Sequence, residues 1–165
     1  MSESSPTSET PETPPDEEHV ARPLAAIAGG VAGVTVMTVL FVIFEVQTRT
    51  EMELFEVVAR FAGVPGHVYI GFALFVAAGV LAWPLLFVAL ESYIPLTLDP
   101  AAAGMGFAIV LWLAFVITGR GSLSGVILLV YAVSTLIAHL AYGFTLGAVY
   151  AHLTGRRYTH SSLPT

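Results

Sequence analysis

The chain has 165 residues, 56% of them hydrophobic and 11% charged, with a mean hydropathy of +0.81 and a formal net charge of −6. A soluble domain carries about 25% charged residues, so this chain cannot cover itself with a solvated surface and needs lipid as its solvent. Six arginines and no lysine against twelve acids exclude the basic patch that nucleic acid requires. The lack of cysteine excludes disulfides, zinc–thiolate sites, iron–sulfur clusters and thiol nucleophiles.

Residues 1–22 hold six of the acids, Glu3, Glu9, Glu12, Asp16, Glu17 and Glu18, and almost no large apolar side chain. Such a stretch cannot bury enough surface to offset ordering and is expected to be a disordered tail. It also lacks the positive n-region of a secretory signal peptide. An acidic, lysine-free composition suits a salt-loving prokaryote.

A helix rises about 1.5 Å per residue, so crossing a ~30 Å hydrocarbon core takes about 20 apolar residues. Four runs qualify, at about 24–44, 68–90, 101–118 and 123–151, and none carries Asp, Glu, Lys or Arg in its core. The expected fold is an all-α membrane four-helix bundle of two helical hairpins over residues 23–152, with 153–165 as a short C-terminal tail. Pro23 and Pro100 each fall where a first helical turn tolerates proline, and Asp99 is placed to cap the third span. Trp83-Pro84 lies inside the second span and predicts a kink. Gly119-Arg120-Gly121-Ser122 is a tight polar turn, and Gly155 suits the end of the fourth span.

Between the first two spans, Thr50 and Glu53 match a capping box, Gly63 a C′ position and Pro65 a stop. The helix so bounded, about 51–62, is too short to span. Its Glu53, Glu56 and Arg60 share one face, and Leu54, Phe55, Val57, Val58 and Phe61 cover the rest. It reads as an amphipathic helix at the membrane surface or over one end of the bundle, with an i,i+4 pair between Glu56 and Arg60.

Two short similarities hint at a tandem repeat of hairpins: Pro23-Leu-Ala-Ala with Pro100-Ala-Ala-Ala, and Leu81-Ala-Trp-Pro with Leu140-Ala-Tyr-Gly. The arginines divide evenly between the two sides of the membrane, Arg22, Arg156 and Arg157 against Arg49, Arg60 and Arg120, so the positive-inside rule selects no orientation. Because nothing in the acidic tail favours its export, both termini are expected in the cytoplasm, with the protein in the cell membrane.

His139 is the one ionisable residue at depth, where such groups usually face the bundle interior. Tyr131, Thr135, His139, Gly143 and Gly147 recur every four residues along one face, with Tyr142 three residues past the histidine. This polar-then-small stripe lets a neighbouring helix approach and gives His139 hydrogen-bond partners, among which Thr35 and Thr38 of the first span are candidates. The structural reading makes His139 a satisfied interhelical residue. The functional readings make it a weak candidate contact for haem, quinone or metal, or a proton-handling group.

Bis-histidine haem needs a second histidine at matching depth, and His67, His152 and His160 do not supply one. No metal-ligand spacing, nucleophile elbow, phosphate loop or zinc-protease helix is present, so no catalytic residue, metal site or cofactor is assigned and an enzyme is not expected. Glu45 and Glu91 directly follow the first two spans and read as interfacial groups. Ala25, Gly29 and Gly33 form a small-residue face on the first span, and Ala102 and Gly106 repeat its spacing on the third. Such faces serve packing within a bundle or the docking of another subunit.

His139-x-x-Tyr142-Gly143-x-x-x-Gly147-x-x-Tyr150, together with Ala82-Trp83-Pro84, resembles a group of uncharacterised small four-span prokaryotic membrane proteins frequent in haloarchaea. The resemblance covers residues 23–152 and implies a four-helix bundle in the cell membrane, with no activity or catalytic residue to carry over. Some small haloarchaeal membrane proteins are similar to accessory subunits of terminal oxidases. Three roles follow as expectations. One is a non-enzymatic subunit or accessory of a membrane complex, a respiratory one included, whose partners are the bilayer and another membrane protein or a second copy. The others are a small transporter or channel, and a haem- or quinone-binding electron-transfer component.

Overall fold

In a computed structural model of the protein, the described residues are 15–48, 53–91, 93, 99–121 and 123–155. They hold no strand. The helices are α1 (Pro15–Thr48), α2 (Leu54–Phe61), α3 (Val68–Ala77), a π-helical segment (Ala78–Ala82), α4 (Trp83–Glu91), α5 (Pro100–Gly119) and α6 (Gly125–Thr154). Four stretches among the described residues are long and apolar enough to cross a membrane: Ala21–Gln47, Val68–Glu91, Pro100–Gly119 and Gly125–Thr154. The chain is a multi-pass membrane protein with an all-α four-helix bundle, and the outward apolar faces of its helices contact lipid.

α6 is the central helix. It packs along α1 on one side and α5 on the other, while the second span (α3, π segment and α4) packs on α1. Lipid tails are as apolar as leucine, so close van der Waals contact rather than water exclusion holds such helices together. Small residues provide it. Gly29 of α1 lies against Leu146 of α6, and Gly33 lies against Tyr142. Gly104 of α5 and Gly143 of α6 each touch the other's carbonyl, and Gly147 touches that of Pro100. A Cβ at any of these three would overlap backbone. Ala25, Gly29, Gly33, Gly143 and Gly147 are all buried. On α5 the packed glycine is Gly104, whereas Gly106, singled out by spacing, has open space beside it.

Several boundaries differ from the sequence expectation. α1 begins at Pro15, so 15–22 is helix rather than tail, and residues 1–14 lie outside the described residues. Proline fits a first helical position. Pro23 is therefore inside α1, whereas Pro100 opens α5 with Asp99 accepting from the Ala101 N–H at 2.8 Å. The two prolines that suggested a repeat have different roles. α2 is shorter than expected. Glu53 is its N-cap, in the left-handed region (φ 46°), and makes no side-chain cap. It therefore cannot close a capping box from the third helical position, and Thr50 lies outside the described residues. The Glu56 carboxylate accepts from the Gly66 N–H at 2.9 Å, and no Glu56–Arg60 ion pair forms among the described residues. The turn that follows α2 supplies a closer, fixed donor than the flexible arginine.

α2 packs against α3 and α5. Phe55 meets the edge of Phe72 at 5.0 Å and tilts against Phe75 at 5.5 Å, and Val57 lies beside Gly119. The helix thus lies over one end of the bundle, bridging the start of the second span and the end of the third.

Candidate functional site

The site begins at Pro84. A proline offers no N–H and its ring clashes with the carbonyl four residues back, here that of Val80. The second span answers with a wider turn: the Trp83 N–H donates to the Ala78 carbonyl, five residues back. In that register the Gly79 carbonyl faces the nitrogen of Pro84, which has no hydrogen to give. Tyr142 of α6 fills the gap by donating its hydroxyl to the Gly79 carbonyl at 2.7 Å. An unpaired carbonyl is costly in lipid, so this bond explains a buried tyrosine at depth. Gly30 of α1 lets the chain pass directly over the Pro84 ring and the Gly79 carbonyl.

Next to this bond lies a cavity of about 420 Å³, walled by α1, α2, the second span, α5 and α6. Val34, Met37 and Leu111 form its apolar sides, Val57, Val58 and Phe61 of α2 lie over one end, and Phe75 and Phe115 add aromatic faces. Leu74, Trp83 and Ala114 are exposed at its edge, so it opens outward between the second and third spans, which do not pack closely. Among the described residues no Asp, Glu, Lys or Arg lines it.

His139 and Tyr142 supply the polar groups of its inner wall. His139 Nδ1 lies 2.7 Å from the Thr135 carbonyl. A carbonyl only accepts, so Nδ1 carries the proton and donates, leaving Nε2 with a free lone pair. Among the described residues Nε2 has no hydrogen-bond partner, although the side chain is only 7% exposed. The Phe115 ring lies 5.4 Å from the imidazole between centroids.

The stripe expected on α6 is present, with Tyr131, Thr135, His139 and Tyr142 all buried, but it does not form one network. The Thr135 hydroxyl donates to the Tyr131 carbonyl at 2.7 Å and accepts the Trp112 indole N–H at 3.2 Å. Tyr131 stacks on Phe115, and its hydroxyl has no partner among the described residues. Tyr142 is committed to Gly79 rather than His139. Thr35 is exposed and donates to the Val31 carbonyl of its own helix, and neither it nor Thr38 bonds His139. Of the reading of His139 as a satisfied interhelical residue, the described residues show one hydrogen bond, and it lies within α6 rather than between helices. Among the described residues no three His, Cys, Asp or Glu lie close enough to hold a metal ion.

At the tail end of the bundle, Glu91 is more than an interfacial marker. Arg22 of α1 donates to its Oε2 at 2.7 Å, and Tyr150 of α6 donates to the same oxygen at 2.7 Å. Arg22 Nε also reaches Tyr150 Oη at 3.1 Å. This clamp ties three spans. Its members stand far apart in sequence, and no local pattern links them. Glu45 lies inside α1, which continues to Thr48.

The profile of a family of unknown function, DUF6789, matches residues 20–161. The chain belongs to the DUF6789 family. For this DUF6789 protein the match covers all four spans, the cavity and the clamp. Neither a curated protein nor a solved structure matches the chain.

Proposed function

We propose that this DUF6789 protein is a non-enzymatic protein of the cell membrane that holds an apolar, lipid-soluble molecule in the cavity beside His139. The carrying observation is the cavity itself: about 420 Å³, apolar, open on the lipid side, with the unpartnered Nε2 of a buried histidine in its wall. Ligand sites are typically apolar clefts of ~300–1,000 Å³ with a few placed polar groups. Both termini are assigned to the cytoplasm on the acidic N-terminal stretch.

Of the roles read from the sequence, binding of a molecule of the quinone class, in its oxidised or reduced form, has the most geometric support. The accessory-subunit role loses one of its supports, because the small-residue face of α1 is used against α6 instead of remaining free to dock a neighbour. Among the described lining residues none is charged, which leaves the transporter or channel reading with an apolar or neutral solute, and solute flux in reconstituted vesicles separates it from a binding protein.

The test is extraction of small molecules from protein purified in mild detergent, followed by mass spectrometry. Ala114→Phe fills the cavity from its edge. Wild type should retain an apolar compound at close to one per chain and the variant should lose most of it. Equal retention, or none in either protein with no uptake of added lipid-soluble compounds, would sink the proposal.

A further inference from the structure

We infer that the cavity selects its ligand by hydrogen-bond direction: it takes a neutral aromatic compound bearing a hydroxyl, of the phenol or hydroquinone class, whose O–H donates to His139 Nε2. The inference rests on the binding role proposed above and names the chemistry of the ligand.

The inner wall has few polar side chains, and each has already spent its hydrogen. The His139 Nδ1–H is held by the Thr135 carbonyl at 2.7 Å. The Tyr142 O–H is held by the Gly79 carbonyl at 2.7 Å. The Thr118 O–H, further out, is held by the Ala114 carbonyl at 2.7 Å. What remains for a ligand is lone pairs: Nε2 of the histidine, and the second lone pair of each hydroxyl. Among the described lining residues the one side-chain donor left is the indole N–H of Trp83, a residue exposed at the edge.

A ligand oxygen that only accepts, as in a ketone, ether or quinone, would set its lone pair against these. A hydroxyl would instead satisfy the free Nε2 lone pair, which the cavity leaves accessible in the wall of a buried histidine. The body of the ligand follows from the wall. Phe75, Phe115, Trp83 and Tyr142 present aromatic surfaces, and rings favour edge-to-face and offset contacts with one another. Among the described residues no carboxylate or cation lines the space, which fits an uncharged ligand. Of a benzoquinone pair with equal tails, the site should take the reduced member.

The tautomer that makes His139 an acceptor is set by the backbone of its own helix and does not depend on a partner that could be lost. Rotation of the ring would require breaking the bond to Thr135 at 2.7 Å.

The experiment uses the full chain in lipid nanodiscs, with Trp83→Phe throughout to remove the edge donor. A para-alkylphenol and its methyl ether are titrated by equilibrium dialysis, and an alkyl hydroquinone and its quinone form a second pair. The expected result is a preference on the order of tenfold for the hydroxyl member of each pair. His139→Phe, which keeps an apolar ring at the position, should bring the two members of each pair to within about twofold. His139→Leu is a second variant in case the bulkier ring disturbs packing. If both members bind equally in the His139 protein, or the ether and quinone bind better, selection by direction is wrong while cavity binding stands. If no member binds, and Ala114→Phe changes nothing, the binding role itself has failed.

Discussion

At the residue scale, one side chain explains another. Pro84 removes an N–H from the second span, the helix widens to pass it, and the Tyr142 hydroxyl supplies the hydrogen that the Gly79 carbonyl then lacks. Interhelical hydrogen bonds in membranes are worth about 0.6–2 kcal/mol, so Tyr142→Phe should lower stability by about 1 kcal/mol. Pro84→Ala returns an N–H to the carbonyls of this turn, and in that background Tyr142→Phe should cost clearly less. Thermal or denaturant unfolding of the four proteins in detergent measures the coupling. Additive effects would mean that the tyrosine does not answer the proline. Trp83-Pro84 was visible in the sequence as the cause of a kink. The answering tyrosine was visible only as a member of a stripe, because its partner is a backbone carbonyl 63 residues away.

At the scale of elements, the interface between α5 and α6 is a backbone-on-backbone contact. Gly104 and Gly143 each accept the other's carbonyl into the space where a side chain would stand. Gly143→Val has no flexible neighbour to push aside. It should separate the two helices and destabilise the bundle by about 1–3 kcal/mol, read as a fall in unfolding midpoint and faster proteolysis of the hairpin. Gly106→Val, in open space on the same α5, should be close to neutral and serves as the control. Spacing alone pointed to Gly106 and passed over Gly104. On an apolar helix every face looks alike, and only the partner's position shows which small residue is used.

At the scale of the whole molecule, four spans put Tyr93 on the side of the termini and Arg120 on the other. Both are exposed. The chain has no cysteine, so Tyr93→Cys and Arg120→Cys each carry a single thiol. With both termini cytoplasmic, a membrane-impermeant maleimide should label the Arg120→Cys protein in intact cells and the Tyr93→Cys protein only after lysis. The opposite pattern would invert the orientation and leave the fold untouched.

The sequence alone determined that the chain lives in lipid, that it crosses four times, where the turn between the last two spans falls, and which stripe of α6 is buried. Those properties follow from local composition: charge is absent where hydrocarbon must be, and glycine, proline and Asp99 mark the ends. It also singled out His139 by depth. Tertiary structure decided the rest. It made α6 the shared centre, used the small-residue face of α1 internally, tied Arg22, Glu91 and Tyr150 into one clamp, and left a cavity against the free nitrogen of His139. A cavity is the space between helices that fail to meet. It depends on how five elements pack at once, and no run of residues encodes that locally.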